Sequence, residues 1–454
     1  MSLNSDRNPS PPPELLGNED LLPDRIGDSV YSKQWLYKTL MKILQWCENP
    51  ESFENKKNVT ADTSLSANND NEEKSADNTE KDIIELDSKI EEDACMLWDM
   101  SANKEVAEFL DASRAPAIFL DIIDKTRSPR LVEIVVGILG NLSSFDSTCQ
   151  SISNNNGLIC SLLSLSGTSD TPTLLQVFRV ILCGVSNENT QNIWFEAFEG
   201  NPFFMENMKF IFENSLSSTV IKGAFQLLYS ILNENAKYCK MWGQPSHIKA
   251  IIEAGKQSLK LHENLDNFFC VLNALCQYTP NIEVLVQNWM ELSSLFDLYF
   301  LSLDEEDALP DRLRITAVFS CFDTYNTLLN YENMQCEQVV IEPGVLEIIN
   351  KIAHSVSALI LDIRKHNMEV LDLQNPQRDH PPRKFLRRIV ERDGTQYITM
   401  MTEYEFNQWT VLSEIIIDTA KTLLKYTEKE SEKDVLEDIL NSEVIKENIG
   451  VLII

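Results

Sequence analysis

An apolar helical core carrying small residues returns five times along this chain at nearly even spacing, and that recurrence restricts the fold more than any other feature. The copies are EIVVGILGNL (133–142), QVFRVILCGV (176–185), AFQLLYSIL (224–232), FFCVLNALCQY (268–278) and TAVFSCFDTY (316–325). Aligned on Ile138, Ile181, Leu227, Val271 and Val318, they lie 43 to 47 residues apart, the period of armadillo and HEAT units. Shorter amphipathic segments lie between them: AIFLDIIDKT (117–126), GLICSLLSL (157–165), MENMKFIFENS (205–215) and HIKAIIEAGKQSL (247–259). Polar breaks such as SNNNG (153–157), SGTSDTPT (166–173) and EGNP (199–202) set these apart. A single unit cannot cover both faces of its apolar helix, so neighbours must stack into one continuous core. The prediction is therefore an all-α, armadillo- or HEAT-like α-solenoid over residues 81–454.

The flanking sequence reads differently. Residues 1–28 hold Ser10 and the run Pro11–Pro13 with little apolar content, which predicts a disordered Pro-rich tail. Residues 29–48 carry Tyr31, Trp35, Leu36, Leu40, Ile43 and Leu44 at three- and four-residue spacings, an amphipathic helix. Residues 49–80 are rich in Asn, Ser and acidic residues and read as a linker. From Asp82 a helical pattern resumes with Ile83, Leu86, Ile90, Cys95, Leu97 and Trp98. Beyond residue 340 the spacing predicts a long helix over 345–365 and a small β-hairpin over 387–401. Its turn is Asp393–Gly394, a pair suited to positive φ. A further helix over 409–426 and a terminal helix close the array.

Composition narrows the function classes. Apolar residues make up 43%, while Gly and Pro number 14 and 17 in 454 residues, which suits long helices over a turn-rich β fold. The formal net charge of −31 disfavours nucleic acid and anionic membranes as partners and suits proteins with basic surfaces. The N-terminal segment has no apolar stretch of secretory type, and no run is long enough to span a bilayer. The ten cysteines are scattered without a CxxC and read as reduced core residues of an intracellular chain. A monomer is expected.

Catalytic patterns are missing from the sequence. Five histidines are few for metal or acid–base work, and His262–Glu263 in HENLD lacks the second His that HExxH requires. There is no GxSxG, P-loop or GxGxxG after a strand. Gly137 and Gly140 sit inside a helix, where packing explains them. Glu91 and Glu92 belong to a solvated charged face, and the sequon at Asn141 falls in a repeat core. These features predict neither an enzyme nor a bound cofactor or metal.

Armadillo proteins that read import signals carry Trp and Asn four residues apart on their inner helices. The matching pairs here are Gly137/Asn141, Val180/Gly184, Gln226/Ser230, Cys270/Ala274 and Ala317/Cys321. Only Asn141 fits, which argues against a clamp of that type. A basic island, Arg378, Arg383, Lys384, Arg387, Arg388 and Arg392, interrupts the acidic chain. It reads as an import signal, a contact for an acidic partner, or a solvated face of the hairpin. Ser10–Pro11 and Ser128–Pro129 are proline-directed phosphorylation candidates. The residues put forward for partner binding are Trp35, Leu36, Leu40, Asn141, Arg383, Lys384, Arg387 and Arg388. The tail helix either adds its stripe to the first repeat or inserts it into a partner's groove.

Several blocks in order, DRNPSPPP (6–13), IGDSVYSKQWL (26–36), ELDSKIEEDACMLWDMS (85–101), VAEFLDASRAPAIF (106–119), SPRLVEIVVGILGNLSSF (128–145) and SDTPTLLQVFRVIL (169–182), resemble the serum amyloid A-like family. Together they cover roughly the first half of the chain. The resemblance implies an armadillo-like fold without enzymatic activity, a location mainly in the nucleus with the cytoplasm as a second compartment, and a role in promoting cell proliferation. The expected function is a protein-interaction scaffold or adaptor. The alternative is a nuclear transport or nucleic-acid-associated factor acting through the island at 378–392.

Overall fold

The computed structural model describes residues 24–50, 83–261, 265–303, 315–332, 334, 339, 344–354, 403–427 and 430–441. A lone helix α1 (Lys33–Glu48) and a helix α2 (Ser88–Ser101) come first. Five triads follow. They are α3 (Lys104–Ala112), α4 (Ala115–Lys125), α5 (Pro129–Leu142); α6 (Asp146–Ser153), α7 (Asn156–Leu165), α8 (Thr171–Ser186); α9 (Gln191–Gly200), α10 (Phe203–Asn214), α11 (Ser218–Glu234); α12 (Ala236–Trp242), α13 (Pro245–Lys260), α14 (Asp266–Cys276); and α15 (Thr279–Gln287), α16 (Trp289–Ser302), α17 (Ile315–Leu329). Residues 344–354 are helical, and α18 (Glu403–Leu424) and α19 (Glu430–Asn441) complete the set. The five cores read from the sequence are the third helices of the triads.

Local chemistry explains the boundaries. Side chains of Ser32, Asp87, Asn103, Asn155, Asp170, Ser217 and Asn235 each accept a backbone N–H at a helix start, satisfying donors that the helix leaves unpaired. Prolines open α4, α5, α8, α13 and α15, where the missing N–H costs nothing. The Asp87 cap starts α2 six residues later than Asp82, the start that apolar spacing suggests. Ile84 precedes it and bonds through its N–H to the Arg127 carbonyl at 3.2 Å.

The chain divides into two compact units, Met1–Ile211 and Phe212–Ile454. In the first, the third helices stack in the order α2, α5, α8, with α1 packed on α2 and α4. Its core is largely aliphatic, built from residues such as Ile134, Ile138, Leu139, Val177 and Ile181. In the second, α11, α14, α17 and α18 stack in turn, and α19 covers α18. There the core is aromatic: Phe268, Phe269, Phe296, Tyr325, Phe300 and Phe322 join through ring contacts of 4.9–5.4 Å.

Polar ties within the units repeat with the period of the fold. Trp194 Nε1 donates to Ser153 Oγ at 3.0 Å between first helices, 41 residues apart. Asn207 Nδ2 donates to Ser166 Oγ at 3.1 Å, also 41 apart, and Asn281 Nδ2 to the Cys239 carbonyl at 2.9 Å, 42 apart. A second device closes four of the five third helices. Thr148, Thr190, Cys239 and Asn281 each donate back to a carbonyl six or seven residues earlier, on Leu142, Gly184, Leu232 and Leu275, satisfying helix-end acceptors. Two glycines permit close stacking. A Cβ on Gly137 would stand 2.2 Å from the Trp98 ring, and one on Gly184 would stand 2.0 Å from Trp194 Nε1.

The predicted hairpin at 387–401, most of the tail and all but the first two residues of the linker lie outside the described residues. So does the predicted helix at 345–365 beyond residue 354. Among the described residues the only β feature is an isolated bridge between Arg25 and Ser32.

Candidate protein-interaction faces

The tail helix is the first correction. Leu36 and Leu40 are 0% and 2% exposed, and Ile43 and Trp46 are buried beside them. Tyr37 Oη meets Ser113 Oγ at 3.0 Å, and its ring packs edge-on to Phe109. Lys42 pairs with Asp93. Leu36 and Leu40 therefore belong to the interior of the first unit and are not presented to a partner, because α2 and α4 offer the apolar surface that the stripe needs. Trp35 is half-buried.

Asn141 is the second correction. It is 8% exposed, and its amide is engaged on both sides. Nδ2 donates to the Trp98 carbonyl and to Ser101 Oγ, both at 2.9 Å, while Oδ1 accepts from Arg179 Nη2 at 2.5 Å. It ties α2, α5 and α8 together and has no hydrogen left to grip a peptide. Ser128 is 1% exposed at the start of α5, so its hydroxyl is closed to a kinase in the folded state. Arg383, Lys384, Arg387, Arg388 and Ser10 lie outside the described residues.

Around Asn141 the open edge of the first stack carries two arginines in unlike settings. Arg130 reaches Glu91 at 2.8 Å and Glu133 at 2.7 Å, with Cys95 Sγ at 3.5 Å. Those carboxylates hold the guanidinium proton even more tightly than usual. Arg179 lies over Gly140, where an added Cβ would come within 3.4 Å of its Cδ, and among the described residues it has no carboxylate within ion-pair distance.

The second unit presents a different surface. Cys270, Ala274, Ala317 and Cys321, the positions matched in sequence to a Trp/Asn ladder, are all buried. The exposed or half-exposed positions on α14 and α17 are others, among them Asn273, Gln277, Asp323 and Asn326, and on α11 Gln226, Ser230 and Asn233 fall along one side of the helix. Asn273 Nδ2 donates to Asp323 Oδ2 at 2.7 Å. Thr422 Oγ1 on α18 donates to Asn326 Oδ1 at 3.0 Å, so α14, α17 and α18 are joined along these positions. Gln226, Asn233 and Gln277 are exposed and make no side-chain hydrogen bond among the described residues. A carboxamide offers one donor group beside one acceptor, the same pair that a peptide unit presents, so this face can bind an extended backbone.

Burial pushes the Cys47 and Cys270 thiols up to about 11 and raises Cys276 and Cys321 well above the usual thiol range, so these sulfurs stay protonated and unreactive at neutral pH. Among the described residues no three His, Cys, Asp or Glu side chains gather to hold a metal, and no helix is long and apolar enough to cross a membrane.

A family model described as the SAAL1 C-terminal domain matches residues 204–453. Protein saal1 of Danio rerio is 32% identical over 321 residues, covering 67% of this chain and 63% of that protein. Protein SAAL1 of Mus musculus is 29% identical over 378 residues, covering 76% and 75%. The chain thus spans less than two thirds of the zebrafish relative. Among solved structures, a designed armadillo repeat protein, YIII(Dq.V1)4CPAF, in complex with peptide (KR)4 is 13% identical with a TM-score of 0.38, over 63% of this chain and 98% of that one. A crystal structure of an engineered protein is 13% identical with a TM-score of 0.44, over 93% and 97%.

Proposed function

This chain belongs to the SAAL1 family, and from that premise and the geometry of its third helices we propose that it is a non-enzymatic scaffold that holds an extended segment of a partner protein. The carrying observation is the set of exposed amides on α11 and at the end of α14, Gln226, Asn233 and Gln277, which make no side-chain hydrogen bond among the described residues, together with the tied pair Asn273–Asp323. Stacked repeats suit this role because they bury their apolar residues between neighbours and leave a long surface for contact. Exposed amides are well solvated, so their replacement leaves stability within roughly 0.5 kcal/mol. The test is selection of peptides from a random display library on the full chain, followed by anisotropy titration of the winners. Joint Gln226→Ala, Asn233→Ala and Gln277→Ala substitution is expected to weaken them roughly tenfold, as loss of about 1.4 kcal/mol does. Unchanged affinity would defeat the proposal.

Residence in the nucleus and a part in promoting cell proliferation belong to the same proposal, on the strength of the family resemblance. The basic island supports entry, since clustered Lys and Arg form the usual electrostatic address. In cells, Arg387→Glu with Arg388→Glu should shift the tagged full chain from nucleus to cytoplasm. An unaltered distribution removes the island from the account.

A further inference from the structure

The first unit carries a surface groove that the scaffold reading does not use. Its volume is about 540 Å³, within the roughly 300–1,000 Å³ of sites that enclose a ligand group. Ile159 and Leu163 of α7 form one wall, and Ile193 and Ala197 of α9 form the other. Phe203, the first residue of α10, stands at the mouth and is 68% exposed. Phe210 lies two turns further along α10 and is 64% exposed, with Glu206 and Asn207 between the two rings on that side of the helix.

Scattered exposed apolar residues need no explanation, but a large exposed aromatic ring at a lined cavity marks an interaction surface. Burying the Phe203 ring releases roughly 1.5–3 kcal/mol. The rim supplies the sign of the partner. Glu196 lines the groove, Glu206 is exposed one turn from Phe203, and no Lys or Arg lines the cavity. In a chain of formal charge −31, this rim attracts cationic segments and repels anionic ones.

We infer that this groove docks a short amphipathic segment of another protein, whose large apolar side chain enters between α7 and α9 while flanking Lys or Arg residues meet Glu196 and Glu206. The site is separate from the amide face of the second unit and does not depend on it. A lipid surface is the disfavoured occupant, because an acidic rim opposes anionic headgroups.

A native reporter stands in the groove. Cys160 lines it and is, among the described cysteines, the exposed one. The experiment uses the full chain and three synthetic helical peptides: one with Leu and Phe on one face and Lys on the other, a twin with Glu for Lys, and a twin with Ser for Leu and Phe. Anisotropy reads affinity, and mass spectrometry reads iodoacetamide alkylation at Cys160. The Lys peptide is expected to bind and to slow Cys160 alkylation roughly tenfold at saturation, while neither twin does. Phe203→Ser and Glu196→Lys, both at exposed positions, should each weaken it roughly tenfold, the effect of losing one anchor. The Gln226, Asn233 and Gln277 triple variant should bind it as the parent does. Equal binding of the Glu twin, unprotected Cys160, indifference to Phe203→Ser, or tighter binding of phosphatidylserine vesicles than of the Lys peptide would each overturn the assignment.

Discussion

At the scale of single residues, the same side-chain type takes opposite roles according to where the helix turns it. Asn141 and Gln226 both carry carboxamides on third helices, yet one is locked among Trp98, Ser101 and Arg179 and the other is open to solvent. Replacing Asn141 by Ala removes the acceptor that the Arg179 guanidinium uses among the described residues and one of the two partners of the buried Ser101 hydroxyl. Leaving a buried polar group without its partner costs roughly 1–3 kcal/mol. The expected outcome for Asn141→Ala is a loss of that size in urea denaturation of the first unit, with peptide binding at the second unit intact. A variant as stable as the parent would show that the Asn141 network is ornamental.

At the scale of elements, α1 shows how an apolar stripe establishes a helix while leaving open whether the stripe joins its own first repeat or a partner's groove. Its stripe at Leu36, Leu40, Ile43 and Trp46 predicts burial against some apolar surface, and periodicity is silent on whether that surface is its own chain's. Residues α2 and α4 supply it. Leu40→Asp places an unpaired carboxylate at a position 2% exposed, for which a cost of roughly 3 kcal/mol or more is expected. Limited proteolysis should then cut near α1 in the variant and spare the parent. Equal resistance in both chains would return the stripe to the role of a partner-binding arm.

At the scale of the molecule, stacked repeats exchange stability chiefly with their nearest neighbours. In the second unit Phe268 sits 1% exposed between Phe225 and Phe269, with ring contacts at 5.9 and 5.0 Å. Phe268→Ala should destabilise its surroundings by about 3–5 kcal/mol. Hydrogen exchange should quicken most in α11 and α14, less in α17 and least in α18. Uniform acceleration across the unit would instead mark it as one cooperative block with no graded coupling.

Much of the architecture was legible beforehand. The five cores, their spacing and the all-α class follow from apolar periodicity, because burial by stacking demands a regular repeat whatever the neighbours are. The family could be glimpsed in motif blocks before residue 183, although the matching domain covers 204–453. The open face was legible on α11, at Gln226 and Ser230, but not on α14 and α17. A helix in a stack is covered on most sides, and a shift of one to three residues turns a position from solvent to core, which is why Cys270/Ala274 and Ala317/Cys321 were matched where Asn273, Asp323 and Asn326 actually look outward. Sequence alone determined that helices must pile on one another. Which amides are tied, which stay free and where an apolar groove remains depended on the packing of neighbouring helices, since exposure belongs to a position only once its neighbours are in place.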